Sequence, residues 1–201
     1  RPRNGLGAGL VCWAGLFARW PRAVSLDAKT LRQTIAAWGH AESETPPRYG
    51  DDLRADGINP ERRASAVMLI LLDTGTDISL VLTQRAAHLP KHPGQISFPG
   101  GRAELEDADL LDTARRETRE EVGFGIERAD VLAALPRYAT RTGYDVAPFV
   151  ALVQPPTQWT PQESEVAEIF EVPLEVILTS DNWRRDGARF AGSPLRHWWA
   201  M

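Results

Sequence analysis

Apolar positions follow two rhythms along this chain. Ala64 to Leu72 is an unbroken apolar run of strand length, and Ile78 to Thr83 is a second. Between them, Asp73-Thr74-Gly75-Thr76-Asp77 is turn chemistry, so the two runs predict a hairpin. Val131 to Ala139 and Tyr144 to Val153 read as two more strands. Helical spacing governs two other stretches. One runs from Ser25, a plausible N-cap, to about Trp38, with Leu31, Ile35 and Trp38 on one face. The other runs from Leu110 to Val122, with Leu111, Ala114, Thr118 and Val122 along one side, Asp109 as its cap and Gly123 at its end. Ser164 to Phe170 is short and fits neither class well. Pro173 to Leu178 opens like a helix with proline in its first turn. Asp186-Gly187 predicts a last hairpin between Trp183 and Phe190. The stretches His40–Pro60 and His88–Gly101 read as loops. Strands before and after one central helix, with no internal repeat, predict a single catalytic domain over residues 25–201.

Composition changes this picture little. The chain has 201 residues, 43% hydrophobic and 25% charged, with a net charge of −4. That is an ordinary soluble make-up, and it gives no general pull toward nucleic acid or anionic membrane. An anionic ligand would be held by a few local cations or by metal. One cysteine, Cys12, excludes an internal disulfide and a cysteine-based zinc site. Arg1 and Arg3 precede a glycine-containing apolar run, Gly5 to Ala18, which resembles a signal peptide but is short for a membrane span. Residues 1–24 are read as a leader or disordered extension, and the protein is expected to be cytoplasmic.

The chemistry concentrates between Gly100 and Phe124. At about 100° per residue, Glu117, Glu120 and Glu121 share one side of the central helix. Such close carboxylates repel one another. A divalent cation would relieve that repulsion, and hard oxygen ligands suit Mg2+ or Mn2+. The bland alternative is a solvated charged face paired with Arg115, Arg116 and Arg119. The preceding Phe98-Pro99-Gly100-Gly101 loop and the terminal Gly123 favour the metal.

This segment resembles the Nudix box, G-x5-E-x7-R-E-U-x-E-E-x-G-U with U apolar. Arg116, Glu117, Glu120, Glu121, Gly123 and Phe124 match its second half in order. Counted from Gly101, Asp107 stands where the box has Glu, Arg116 comes one residue late, and Thr118 replaces an apolar residue. Upstream, Leu82-Thr83-Gln84-Arg85-Ala86, His88-Leu89, His92, Gly94-Gln95 and Phe98 to Gly101 look like the motif of coenzyme A pyrophosphatases, with Pro90 at a position that is usually basic. Thr140 to Tyr144, Glu165-Val166 and Val172-Pro173-Leu174 are similar to later segments of that subfamily. The likeness covers roughly residues 64–178.

The resemblance implies an α+β fold, an α/β/α sandwich with a mixed β-sheet. It also implies metal-dependent cleavage of coenzyme A, or a derivative, to 4'-phosphopantetheine and adenosine 3',5'-bisphosphate. Glu117, Glu120 and Glu121, with the Gly101 carbonyl, are the expected metal ligands, and Arg116 is expected to orient Glu117 or Glu120. Glu163, Glu165 and Glu168 are candidates for a general base from outside the helix, with Glu165 the choice. Arg85, Lys91 and Arg141 are phosphate-clamp candidates, in that order, because guanidinium binds phosphate through two hydrogen bonds. The expected partner is a small nucleotide-like molecule, with no nucleic acid and no membrane, and a homodimer is left open. His88 and His92 are candidates to touch substrate, against the commoner structural or solvent-facing role of a loop histidine, and Trp198 and Trp199 read as packing rather than stacking on adenine. Subfamily members usually continue into a closing strand and helix, so the end at Met201 reads as truncated or diverged. Two alternatives stand beside this reading: a Nudix hydrolase of ADP-ribose or a nucleoside triphosphate, and a Nudix-fold module that binds a nucleotide without cleaving it.

Overall fold

The computed structural model describes residues 27–37, 48–49, 62–90, 92–140, 143–189 and 195–200, with the backbone alone described for 48–49, 180, 185–189 and 195–200. The elements are α1 (Ala28–Ala37), β1 (Arg48–Tyr49), β2 (Arg63–Asp73), β3 (Ile78–Arg85), β4 (Ile96–Ser97), β5 (Gly100–Arg102) and α2 (Leu110–Val122). They continue with β6 (Val131–Ala134), β7 (Tyr138–Ala139), β8 (Tyr144–Val153), β9 (Val166–Pro173), α3 (Leu174–Leu178), β10 (Arg184–Arg189) and β11 (Leu195–Ala200). Nine strands form one mixed sheet in the order β1-β7-β8-β2-β3-β4, with β5 also on β2, β6 on β8 and β9 on β3.

The unbroken apolar run of β2 follows from burial on both faces. Leu69 and Leu71 join Leu80, Leu82, Val150 and Leu152 on one face, against Leu31 and Ile35 of α1 and Leu174 and Ile177 of α3. Ala66, Met68, Ile70 and Leu72 join Val81 and Ala151 on the other, against Ala114 and Val122 of α2. Helices therefore cover both faces of a mixed sheet, as the α/β/α expectation has it. β2 runs parallel to β8 and antiparallel to β3 and β5.

Several expectations need correction. Asp27 caps α1 by accepting from the Thr30 N–H at 2.7 Å; Ser25 and Trp38 lie outside the described residues. The run 131–139 is two strands, because Pro136 between them has no N–H to give to a ladder. The ambiguous segment after residue 164 is the full strand β9, paired with β3 from Ser79–Pro173 to Arg85–Val166. Asp186-Gly187 is not a turn. Both lie within β10, opposite Trp198 and His197, and the chain reverses between Arg189 and Leu195. Six register pairs across β10 and β11 outweigh the local preference of one Asp-Gly step. Residues 1–24 are outside the described set. Among the described residues no helix is long and apolar enough to cross a membrane.

Candidate active site

The site is built on α2. Asp109 starts this helix, its side chain accepting from the Asp112 N–H at 2.8 Å. Gly123 ends it at φ 71°, with its N–H on the Arg119 carbonyl. Ala114, Thr118 and Val122 are buried against the sheet. Thr118 tolerates its apolar position because its hydroxyl donates to the Ala114 carbonyl at 2.7 Å, four residues back. That seating fixes which way Glu117, Glu120 and Glu121 point.

Glu121 is buried at 4% exposure. Its Oε2 accepts from the Gly100 N–H at 3.1 Å. Burial pushes its carboxyl up to about 8, helped by the negative charges of Glu117 and Glu165 and opposed by the Gly100 N–H and the Arg85 cation. Glu117, one turn earlier, is also raised by burial, against the pull of Arg116. Gly101 lies directly against it: a Cβ at Gly101 would overlap the Glu117 carboxylate. The two glycines of β5 thus lay bare backbone beside two acids, with Gly101 opposite Ala66 on the face that α2 covers.

Arg116 organises the remaining acids. One guanidinium nitrogen donates to Glu117 Oε1 and to Glu120 Oε2, each at 3.1 Å. Another reaches the Arg102 carbonyl at 2.9 Å. The guanidinium also forks onto Asp107, at 2.9 and 3.1 Å. Asp107 accepts further from the Thr113 hydroxyl at 2.8 Å and from the Glu104 N–H at 2.9 Å. These donors, Arg116 first, hold its carboxyl well below the usual range. The extra residue before Arg116 therefore does not break the Asp107 contact. Asp107 is the residue that sequence reasoning undervalued. Its position at the box glutamate was the available signal.

Glu165 occupies the turn before β9, half-buried, with its charge felt by both Glu117 and Glu121. The turn is tied down at several points. Gln162 N–H donates to the Glu121 carbonyl at 3.0 Å, Thr160 N–H to the Val122 carbonyl at 3.1 Å, and Ala86 N–H to the Glu165 carbonyl at 2.8 Å. His88 Nε2 meets the Ser164 carbonyl at 3.1 Å, a structural role. Glu163 and Glu168 are exposed, and the carboxylate outside α2 whose charge acts on both Glu117 and Glu121 is Glu165. Arg85 ends β3, half-buried, with its cation acting on Glu121. Lys91 and Arg141 lie outside the described residues. So do Cys12 and the side chains of Trp198 and Trp199.

The donor set is all hard oxygen, and burial and mutual repulsion raise two of its carboxyls, Glu117 and Glu121, above the ordinary carboxylate range. A divalent cation is the partner such a set fits. Among the described residues no group of three or more acidic, imidazole or thiol side chains is gathered so as to hold a metal ion. That follows from the geometry: Arg116 holds Glu117 and Glu120 from one side while Gly100 holds Glu121 from the other.

A NUDIX domain model matches residues 62–191. The chain is 37% identical over 136 residues to the "Uncharacterized Nudix hydrolase NudL" of Enterobacter sp. (strain 638), covering 68% of this chain and 71% of that one. It is 42% identical over 115 residues to the protein of the same name from Pectobacterium atrosepticum, covering 57% of this chain and 59% of that one. Among solved structures, a NUDIX hydrolase from Alicyclobacillus acidocaldarius aligns at TM-score 0.48 and 21% identity, covering 56% of this chain and 79% of that one. Nudix hydrolases generally use divalent metal ions. The chain belongs to the NUDIX domain family and is a pyrophosphohydrolase.

Proposed function

We propose that the protein hydrolyses the pyrophosphate of coenzyme A or its derivatives, giving 4'-phosphopantetheine and adenosine 3',5'-bisphosphate. The observation that supports this reading is the path of the segment from Leu82 to Gly101. Its motif resembles that of coenzyme A pyrophosphatases, and both ends of it bear on the acids, with Arg85 acting on Glu121 and Gly100 donating to it. The ligands would be Glu117, Glu120 and Glu121 with the Gly101 carbonyl, and the cation Mg2+ or Mn2+. When bound, such a cation neutralises charge at phosphorus and makes a water a better nucleophile.

The protein's own groups do the rest. Arg116 holds Glu117 and Glu120 in fixed rotamers, and Asp107 in turn holds Arg116. The Glu165 carboxylate takes the proton of the attacking water. The Arg85 guanidinium donates to a pyrophosphate oxygen. The turn that carries Glu165 is bonded to the end of α2, so base and acids keep one register.

The test is a substrate panel. Coenzyme A, ADP-ribose and nucleoside triphosphates are incubated with the protein and Mg2+ or Mn2+, and products are resolved by chromatography. The expected result is metal-dependent release of 4'-phosphopantetheine from coenzyme A with the highest kcat/KM of the panel. A preference for ADP-ribose would remove the coenzyme A assignment and keep the hydrolase. Binding without any product would support the non-catalytic module.

A further inference from the structure

A coenzyme A-like nucleotide carries two kinds of phosphate, an internal pyrophosphate and a monoester on its ribose. Arg85 is placed with the acids, so it belongs to the pyrophosphate. The other face of the sheet carries a second pair of cations. Arg63 is the ladder partner of Tyr144, and its guanidinium lies over that ring, 5.5 Å from the centroid. Arg102 is the ladder partner of Ser65, two residues along β2 from Arg63.

Directly paired residues share a face, and so do residues two apart on a strand. Arg63, Tyr144 and Arg102 therefore share the face opposite Gly101 and Glu117. Ordinary strand spacing puts the Cα atoms of Arg63 and Arg102 about 8 Å apart, so two guanidinium groups can converge on one phosphate. Both arginines are exposed. Neither side chain has a hydrogen bond or ion pair among the described residues, the Arg63–Tyr144 contact aside.

The nearby acid does not compete for them. Asp145 is forked by Arg137 and so already neutralised. Arg102 directly follows Gly101, and among the described residues β5 pairs with β2 alone. The outward-facing groups of β5 are taken by the acid cluster, the Gly100 N–H by Glu121 and the Arg102 carbonyl by Arg116, so the Arg102 side chain leaves the strand directly beside that cluster.

We propose that Arg63 and Arg102 form a subsite for a phosphate monoester on the ribose of the substrate nucleotide, backed by the Tyr144 ring. The inference rests on the coenzyme A reading, since the 3'-phosphate is the group that ADP-ribose lacks.

The experiment is calorimetric titration with adenosine 3',5'-bisphosphate and with AMP. It uses the wild-type chain, Arg63→Ala, Arg102→Ala and Arg63→Lys, each first shown to melt within a degree or two of wild type. Wild type should bind the bisphosphate more tightly than AMP. Each alanine variant should lose roughly 10-fold or more on the bisphosphate and little on AMP. Arg63→Lys should keep part of the preference, because the charge remains while the fork is lost. Equal losses on both nucleotides, or no preference in wild type, would overturn the subsite. A preference that behaves as stated, in a protein that releases no 4'-phosphopantetheine from coenzyme A, would instead remove the substrate assignment and leave the subsite standing.

Discussion

At the scale of single residues, the site depends on a carboxylate that touches no acid of the α2 cluster. Asp107 receives both arms of Arg116, and through Arg116 it fixes Glu117 and Glu120. Its folded-state pKa is depressed by those bonds. The native carboxylate thus binds fewer protons than the unfolded one at acid pH. The stability it contributes is present in full above the unfolded value near 4 and is lost as pH falls below it. Asp107→Asn should cost roughly 1.5–3 kcal/mol at neutral pH, as for a hydrogen bond to a charged group. It should also flatten the fall of Tm below about pH 4. Melting curves from pH 2 to 7 check both. An unchanged acid slope in the variant would place the titrating group elsewhere. The same carboxylate shows where sequence reading fell short. Spacing counted along the chain made Asp107 and Arg116 a poor match to the box. In three dimensions the Arg116 guanidinium still forks onto Asp107, which a one-dimensional count cannot show.

At the scale of elements, α2 was legible from end to end, because three local signals agree: a capping aspartate, helical apolar spacing and a terminal glycine. β9 and the last hairpin were not, because no local signal decides them. β9 carries exposed Ala167, Glu168 and Glu171 among its apolar residues, and becomes a strand by pairing along the length of β3. Gly123 joins these two parts of the chain. It is left-handed at φ 71°, and a Cβ there would press on Thr160, the residue whose N–H bonds Val122. Gly123→Ala should therefore cost roughly 1–3 kcal/mol from backbone strain. It should also lower kcat more than it raises KM, because Glu165 moves with the Thr160 to Gln162 segment. Denaturant unfolding and steady-state kinetics on the same preparation check this. A variant that loses stability yet keeps wild-type kcat would free Glu165 from that segment.

At the scale of the whole molecule, the acids sit on α2 and Gly101 on β5, neighbours in sequence, while Glu165 comes from the turn before β9, much further along the chain. The sheet brings them together, and this convergence is what the sequence could state only through the resemblance. A ligand that binds only the folded state stabilises it by mass action, about 2.7 kcal/mol at 100 times its Kd. For a domain of this size that is a rise in Tm of roughly 5–10 °C. Added Mg2+ or Mn2+ should raise Tm by that order, and a chelator should reverse it. Glu121→Gln isolates the cause. Without metal the Glu121 carboxyl is pushed up to about 8, so near pH 7 it is largely neutral already. An amide of nearly the same shape should leave the metal-free Tm almost unchanged, while removing most of the metal-induced rise and most of the turnover. If the variant keeps the full rise, the cation binds elsewhere and Glu121 is no ligand. If its metal-free Tm collapses, the buried carboxyl is holding the fold through the Gly100 N–H, and loss of turnover says nothing about metal.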